Sequence, residues 1–200
     1  MIGQGYRYSE LTFVSCNKDK YEEYRRLLGI SDLRWSTRDL NKSQNVSVSA
    51  IAEEKIRDLI PQMRGIPFFV EHSGLVIESW RNLPGGLAKV FLENIGNEGI
   101  CRMMRAYDGE DRAATAVVVI GFHSPDGRTR TFRGERRGRI AEEPSGSNNF
   151  GWDPIFIPDG QRHGQEKSYA EMSLDEKNCV SMRRAASEEF LRYISRLFVI

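Results

Sequence analysis

Phe150, Trp152 and Asp153 set two large aromatic rings and a carboxylate around Gly151, and Pro154 follows directly. Aromatic faces beside a carboxylate suit a flat, hydrogen-bonding ring such as a nucleobase. Stacking on an aromatic side chain is worth roughly 1–3 kcal/mol per base, and a carboxylate accepts hydrogen bonds from ring N–H groups, which adds selectivity. The same residues also fit a β-turn with aromatics in the core. Asn17 and Lys18 stand where the first apolar run gives way to a helical pattern, and Lys177 stands in the expected first turn of the last helix. A lysine there opposes the helix macrodipole, and a phosphate at the helix start removes the conflict. Two such lysines suggest a polyphosphate site; each taken singly also reads as a solvated surface lysine. Glu71-His72-Ser73-Gly74 joins a carboxylate to an imidazole, which suits acid–base or metal work or else a solvent-facing loop. Arg183 carries a planar fork for a base edge or a phosphate, or lies exposed on the last helix. His123 and His163 lack ligand spacing, which argues against zinc.

The elements that must position these residues follow from periodicity and punctuation. Residues 11–14 predict a buried strand and 18–28 a helix stopped by Gly29. Residues 33–36 suggest a second strand, and 48–59 a helix with Pro61 just beyond it. Residues 67–70 and 75–77 are expected as two strands flanking a Glu71–Gly74 loop. Leu83-Pro84-Gly85-Gly86 reads as a turn, and helical segments follow at 87–94 and 98–107. Residues 113–123 and 128–137 predict a hairpin around Pro125-Asp126-Gly127. One last helix starts near Ser173, which has capping-box spacing to Glu176. Its apolar stripe is Cys179, Ala186, Phe190, Ile194 and Leu197, with Ser181-Met182-Arg183 inside it. Alternating strands and helices argue for an α/β fold with a mixed sheet, as a single domain over residues 1–200.

Composition excludes several classes. A chain of 200 residues fits one domain and can bury a sizeable core. Its 40% hydrophobic and 28% charged residues are those of a soluble globular protein. A net charge of +1 gives no global field for a nucleic-acid polymer or a membrane, and the arginine-rich stretch 128–139 reads as a solvated hairpin. Cys16, Cys101 and Cys179 are odd in number and widely spaced, so no disulfide framework is expected and a reducing cytoplasm is the simplest compartment. The start of the chain has no apolar signal-peptide core, and the longest apolar run, 116–121, is far too short to span a bilayer.

Taken together, the chain resembles the inosine triphosphate pyrophosphatases, the Ham1-type non-canonical purine NTPases, from Thr12 to about Phe190. Ser15-Cys16-Asn17-Lys18-Asp19-Lys20 is similar to that family's T-G-N-x-x-K phosphate loop. Leu83-Pro84-Gly85, with Lys89 and Phe91, is similar to its L-P-G segment. Phe150-Gly151-Trp152-Asp153-Pro154-Ile155-Phe156 matches F-G-[WY]-D-P-I-F. Tyr169-Ala170-Glu171-Met172, Glu176-Lys177-Asn178, Ser181 and Arg183 match the Y-A-E-M…E-K-N-x-x-S-H-R ending except at one position. The resemblance implies an elongated α/β fold whose central mixed β-sheet is flanked by helices, with a cleft between two lobes, usually as a homodimer. It implies conversion of ITP, dITP or XTP to the monophosphate and pyrophosphate, with Mg2+. By position, Asn17, Lys18, Lys55, Ser73, Gly74 and Lys177 would serve the phosphates. Phe150 would stack on the purine, with Trp152, Asp153, Met182 and Arg183 shaping its pocket. Glu71 and His72 would stand at the reaction centre with Lys177, and Glu71 would hold the metal.

The chain departs from that pattern at the reaction centre. The family's acidic loop reads D-D-S-G-L or E-D-[ST]-[GS]-L; here the second acid is His72. A neutral imidazole still accepts a proton, but it replaces a carboxylate poorly on magnesium, which prefers oxygen. Lys42, with Gln44 close by, stands where the family places a metal-binding glutamate, and residues 41–49 contain no acid. Met182 replaces the histidine of S-H-R and offers a soft apolar surface. Residues 144–149 read P-S-G-S-N-N where the family is richer in Arg and Gly. The expectation is retained nucleotide binding with altered specificity. The alternatives are a metal-poor nucleotide hydrolase using Glu71 and His72, and a non-catalytic nucleotide-binding protein.

Overall fold

The computed structural model describes residues 6–38, 44–108, 111–147 and 150–199. Lys42, Asn148 and Asn149 therefore lie outside the described residues. After a short strand β1 (Tyr6–Arg7), strand β2 (Thr12–Val14) is buried at every position. Helix α1 (Lys18–Leu28) starts where expected because Asn17 Oδ1 accepts from the Lys20 amide at 2.9 Å, and it stops at Gly29, whose φ of 65° is left-handed. Edge strand β3 (Arg34–Ser36) follows, then α2 (Val48–Met63), capped by Ser47 Oγ on the Ala50 amide at 3.2 Å.

Helix α2 runs past its expected end and contains Pro61. A proline in the last turn forfeits one backbone hydrogen bond. Burial of Leu59 and Met63 with Val14, Phe68 and Val70 offsets that loss.

The largest difference from expectation is β4 (Phe68–Ile77), which is one continuous strand. Glu71-His72-Ser73-Gly74 is its middle, not a loop. After it come β5 (Pro84–Gly85), helix α3 (Ala88–Asp108) and β6 (Ala113–His123). Strand β6 pairs antiparallel along all of β4, placing Ile120, Val119, Val118 and Val117 opposite Glu71 to Gly74. Long-range pairing thus overrides local propensity. Gly74 serves close packing: a Cβ there would meet Gly85 O and Val48 Cγ2 at 2.5 Å each. Helix α3 is kinked at Gly96 (φ 66°), which separates the two helical segments expected there.

Strand β7 (Thr129–Ile140) completes the hairpin with β6, and β8 (Phe156–Pro158) pairs with β7. The expected last helix is two helices, α4 (Leu174–Val180) and α5 (Met182–Ile194), and a terminal strand β9 (Phe198–Val199) pairs with β1. Ser173 and Glu176 form the capping box as read. Ser181 is extended and its Oγ accepts from the Arg183 amide at 3.0 Å, so Ser181-Met182-Arg183 begins a helix rather than lying inside one. Cys179 is exposed, outside the apolar stripe.

The main sheet has the order β3-β2-β4-β6-β7-β8, with β5 on the β4 edge; β3, β2 and β4 are parallel and the rest antiparallel. Helix α2 packs Val48 and Ala52 against Val117 and Val119 on one face. On the other, Tyr24 of α1 and Phe190 of α5 join Phe13, Phe69, Val118 and Phe122. The molecule is thus an α/β fold with a mixed central sheet flanked by helices. No helix among the described residues is long and apolar enough to cross a membrane.

Candidate active site

Strand pairing leaves an opening. The last β4 residue paired with β2 is Phe69, and the first paired with β5 is Leu75. Between them, Glu71 to Gly74 have β6 on one side and no described strand on the other. A free strand edge carries backbone groups that need partners. Lysines reach this gap from helices on both faces of the sheet.

Alternation along β4 sorts these four positions. Glu71 and Ser73 face α1 and α5. Lys20, set in the first turn of α1 by the Asn17 cap, brings its Nζ within 3.3 Å of Glu71 Oε1 and 3.3 Å of Ser73 Oγ. It also lies 3.1 Å from Glu71 Oε2, off the hydrogen-bond direction. Burial alone would raise the Glu71 pKa, but Lys20 and Arg183 outweigh it and bring the carboxyl down to about 2.

His72 and Gly74 face α2. His72 Nε2 lies 2.9 Å from Gly86 O, a group that can only accept, so Nε2 carries the proton. Nδ1 is then the acceptor for Lys55 Nζ at 3.3 Å. Lys55 also donates to the Glu71 carbonyl at 3.1 Å, satisfying part of the open edge. Burial, reinforced by Lys55, pushes His72 down to about 4. Burial and then Lys20 pull Lys55 down to about 8, although Glu71 works the other way. Near neutrality His72 is therefore a neutral imidazole with both nitrogens engaged.

The aromatic segment meets the same cluster from the α5 side. Arg183 is 1% exposed and donates to Glu23 Oε2 at 2.7 Å, with Glu71 Oε1 3.8 Å away. Asp153, in a 3-10 turn, is ion-paired with buried Lys177. Burial raises the Asp153 pKa, with Lys177 opposing. Phe150 is half-buried; Lys177 Nζ lies 5.1 Å and Arg183 Cζ 5.8 Å from its ring centroid, within cation–π range. An unbroken line of contacts therefore runs Lys20–Glu71–Arg183–Phe150–Lys177–Asp153. Glu23 Oε1, Glu71 Oε2 and Arg183 Nε are buried along it without a hydrogen-bond partner among the described residues, which is unspent capacity in native proteins.

Other expected residues sit differently. Lys177 is the fourth residue of the seven-residue α4, and Asp153 neutralises it. Asp153 therefore relieves the macrodipole conflict without a phosphate, and Lys177 stands beside Phe150 rather than with Lys20 and Lys55. Lys18 is exposed and joins none of these contacts; two positions along a helix separate it from Lys20 by about 200° around the axis. Trp152 is 7% exposed and packs edge-on against Phe156, and Met182 is 2% exposed; both belong to the main core. Lys20 and Glu23 went unassigned in the sequence. Lys20 is the closing lysine of the N-x-x-K spacing, a signal the sequence carries. Glu23 has no motif and shows itself only through Arg183, 160 positions away.

The arrangement can hold an anion at the open edge and an aromatic ring by Phe150. It suits magnesium less well. The Glu71 side chain is fully buried and faces Lys20 and Arg183, and His72 has no free lone pair. No group of three or more His, Cys, Asp or Glu among the described residues could hold a metal ion. The described residues do not fit a protein-held magnesium.

Known proteins share this architecture and sequence. The sequence profile of the Ham1 family matches residues 11–193. A dITP/XTP pyrophosphatase of Methanopyrus kandleri is 37% identical over 186 residues, covering 92% of this chain and 95% of the relative. An inosine triphosphate pyrophosphatase of Candida glabrata is 33% identical, covering 93% and 97%. The solved structure of a HAM1 protein from Coxiella burnetii superposes with a TM-score of 0.78 at 26% identity, covering 93% of this chain and 98% of that one. From the open strand edge to the aromatic turn, and along nearly its whole length, the chain belongs to the Ham1 family.

Proposed function

We propose that the chain is a nucleoside triphosphate pyrophosphatase that acts on non-canonical purine nucleotides such as ITP, dITP and XTP. It would release the monophosphate and pyrophosphate, with a specificity shifted from that of its relatives. The observation that carries this reading is the line of contacts joining the open β4 edge to Phe150. Lys20 and Lys55, with Ser73, offer donors for phosphate oxygens at one end. Phe150 offers a ring face at the other, with Asp153 and Arg183 beside it to read the base. The family membership and the pyrophosphatase names of the relatives support the same reaction class.

The shift in specificity rests on Met182. Where the family pattern has a histidine, an apolar side chain is turned into the core. Strand alternation sends Glu71 and His72 to opposite faces, which counts against a direct acid–base pair between them. In this reading residues 1–200 act as one domain and the assembly is a homodimer, as the resemblance implies.

The test is a panel of ITP, dITP, XTP, ATP and GTP, reading pyrophosphate, phosphate and free base separately. Pyrophosphate with monophosphate from ITP or XTP is expected. Free base as the product, or binding without turnover of any triphosphate, overturns the reading.

A further inference from the structure

We propose that this site takes its nucleotide as the free anion rather than as the magnesium complex, with the Lys55 ammonium in the electrostatic place of the divalent cation. The inference rests on the nucleotide-cleft reading above and deepens it. Each other buried or half-buried cation of the cluster has a carboxylate: Lys20 has Glu71, Arg183 has Glu23, and Lys177 has Asp153. Among the described residues Lys55 has neutral acceptors, the Glu71 carbonyl and His72 Nδ1. Its charge is held in place at the open edge by an imidazole that is itself anchored on Gly86 O. An acid at position 72 would have cancelled that charge and offered oxygen to a metal; His72 does neither.

The groups around the gap are consequently donors. Lys20 and Lys55 approach from opposite faces of β4, and each ammonium carries three N–H groups suited to phosphate oxygens. A divalent cation would meet two fixed positive charges there. Among the described residues the carboxylate at this strand edge is Glu71, with 0% of its side chain exposed, and magnesium demands several well-placed oxygens. Magnesium bound to the triphosphate also removes negative charge from the ligand, which weakens its attraction to a site built of ammonium groups.

The test uses the α,β-methylene analogue of ITP, which resists cleavage, titrated calorimetrically into the full chain in excess EDTA and in saturating magnesium. Binding at least as tight in EDTA as in magnesium is expected. Lys55→Gln is expected to weaken the EDTA affinity by about tenfold, equivalent to 1.4 kcal/mol, and His72→Asp to make magnesium favourable for binding. Wild-type binding about tenfold tighter with magnesium overturns the inference and leaves the pyrophosphatase reading standing. Absence of binding in both buffers overturns both. A manganese titration of the nucleotide-free protein adds an independent arm: saturable tight binding overturns the inference, and weak or no binding supports it.

Discussion

The two faces of β4 carry neighbouring residues into opposite electrostatic situations. On the α1–α5 face, Glu71 is charged, buried and surrounded by Lys20 and Arg183, which hold its carboxyl at about 2. On the α2 face, His72 is neutral, held at about 4, and its partner Lys55 has no carboxylate among its hydrogen-bond partners in the described residues. One face is internally balanced and the other keeps a charge in reserve. The difference teaches that a single strand can supply a rigid charged frame and an adjustable binding charge at once, because alternation separates them by one residue.

The contrast can be broken most forcefully on the balanced face. Arg183→Met strands Glu23 and Glu71 without their shared guanidinium, and removal of one partner from a buried pair costs about 3–5 kcal/mol. Lys55→Met leaves behind two neutral acceptors and should cost about 1 kcal/mol for each hydrogen bond lost. Urea denaturation of both variants measures the ratio; equal losses would erase the asymmetry.

Acid should separate the faces next. His72 has a folded pKa below its ordinary 6.5, so its contribution is present above that value and is lost as pH falls towards about 4. Glu71, held below its ordinary 4.5, loses its contribution later, as pH falls towards about 2. Comparing the chain with His72→Gln cancels the carboxylates common to both. The stability advantage of the histidine over glutamine should shrink by up to about 3 kcal/mol between neutrality and pH about 4. A constant advantage would mean that His72 is not held neutral.

Three smaller effects follow. Gly74→Ala drives a methyl into Gly85 O and Val48 and should destabilise by about 1–3 kcal/mol through overpacking, read as a lowered urea midpoint. Phe150→Ala should weaken nucleotide affinity by roughly 1–3 kcal/mol with stability nearly intact; unchanged affinity in calorimetry would remove the stacking role. Ser181→Ala, which deletes the cap of α5, should cost about 1 kcal/mol.

Much of the frame was legible in the sequence because its signals are local. Asn17 and Gly29 bracket α1, Ser173 and Glu176 open α4, and the Pro125-Asp126-Gly127 turn joins β6 to β7. The continuity of β4 was not legible, since Glu71 to Gly74 are polar or small and only β6, some fifty positions away, holds them extended. Pro61 and Ser181 misled in opposite directions: one looks like a stop and is carried by burial, while the other looks like helix interior and is a cap. The site behaved likewise. The sequence pointed to α1 and favoured Lys18, whereas the lysine that closes the N-x-x-K spacing, Lys20, is the one the helix turns toward Glu71 and Ser73. Lys177 is legible in the E-K-N ending, but its pairing with Asp153 shows only in the fold and leaves no bare charge at the start of α4.

The gap between β2 and β5 carries one more consequence, for self-association. An unpaired strand edge is a template on which another chain can add a strand, and natural sheets guard such edges with lysine. Lys55 sits on the Glu71 carbonyl in that position. The charge that waits for a ligand thus also stops foreign strands from docking, and a bound nucleotide would take over that guard.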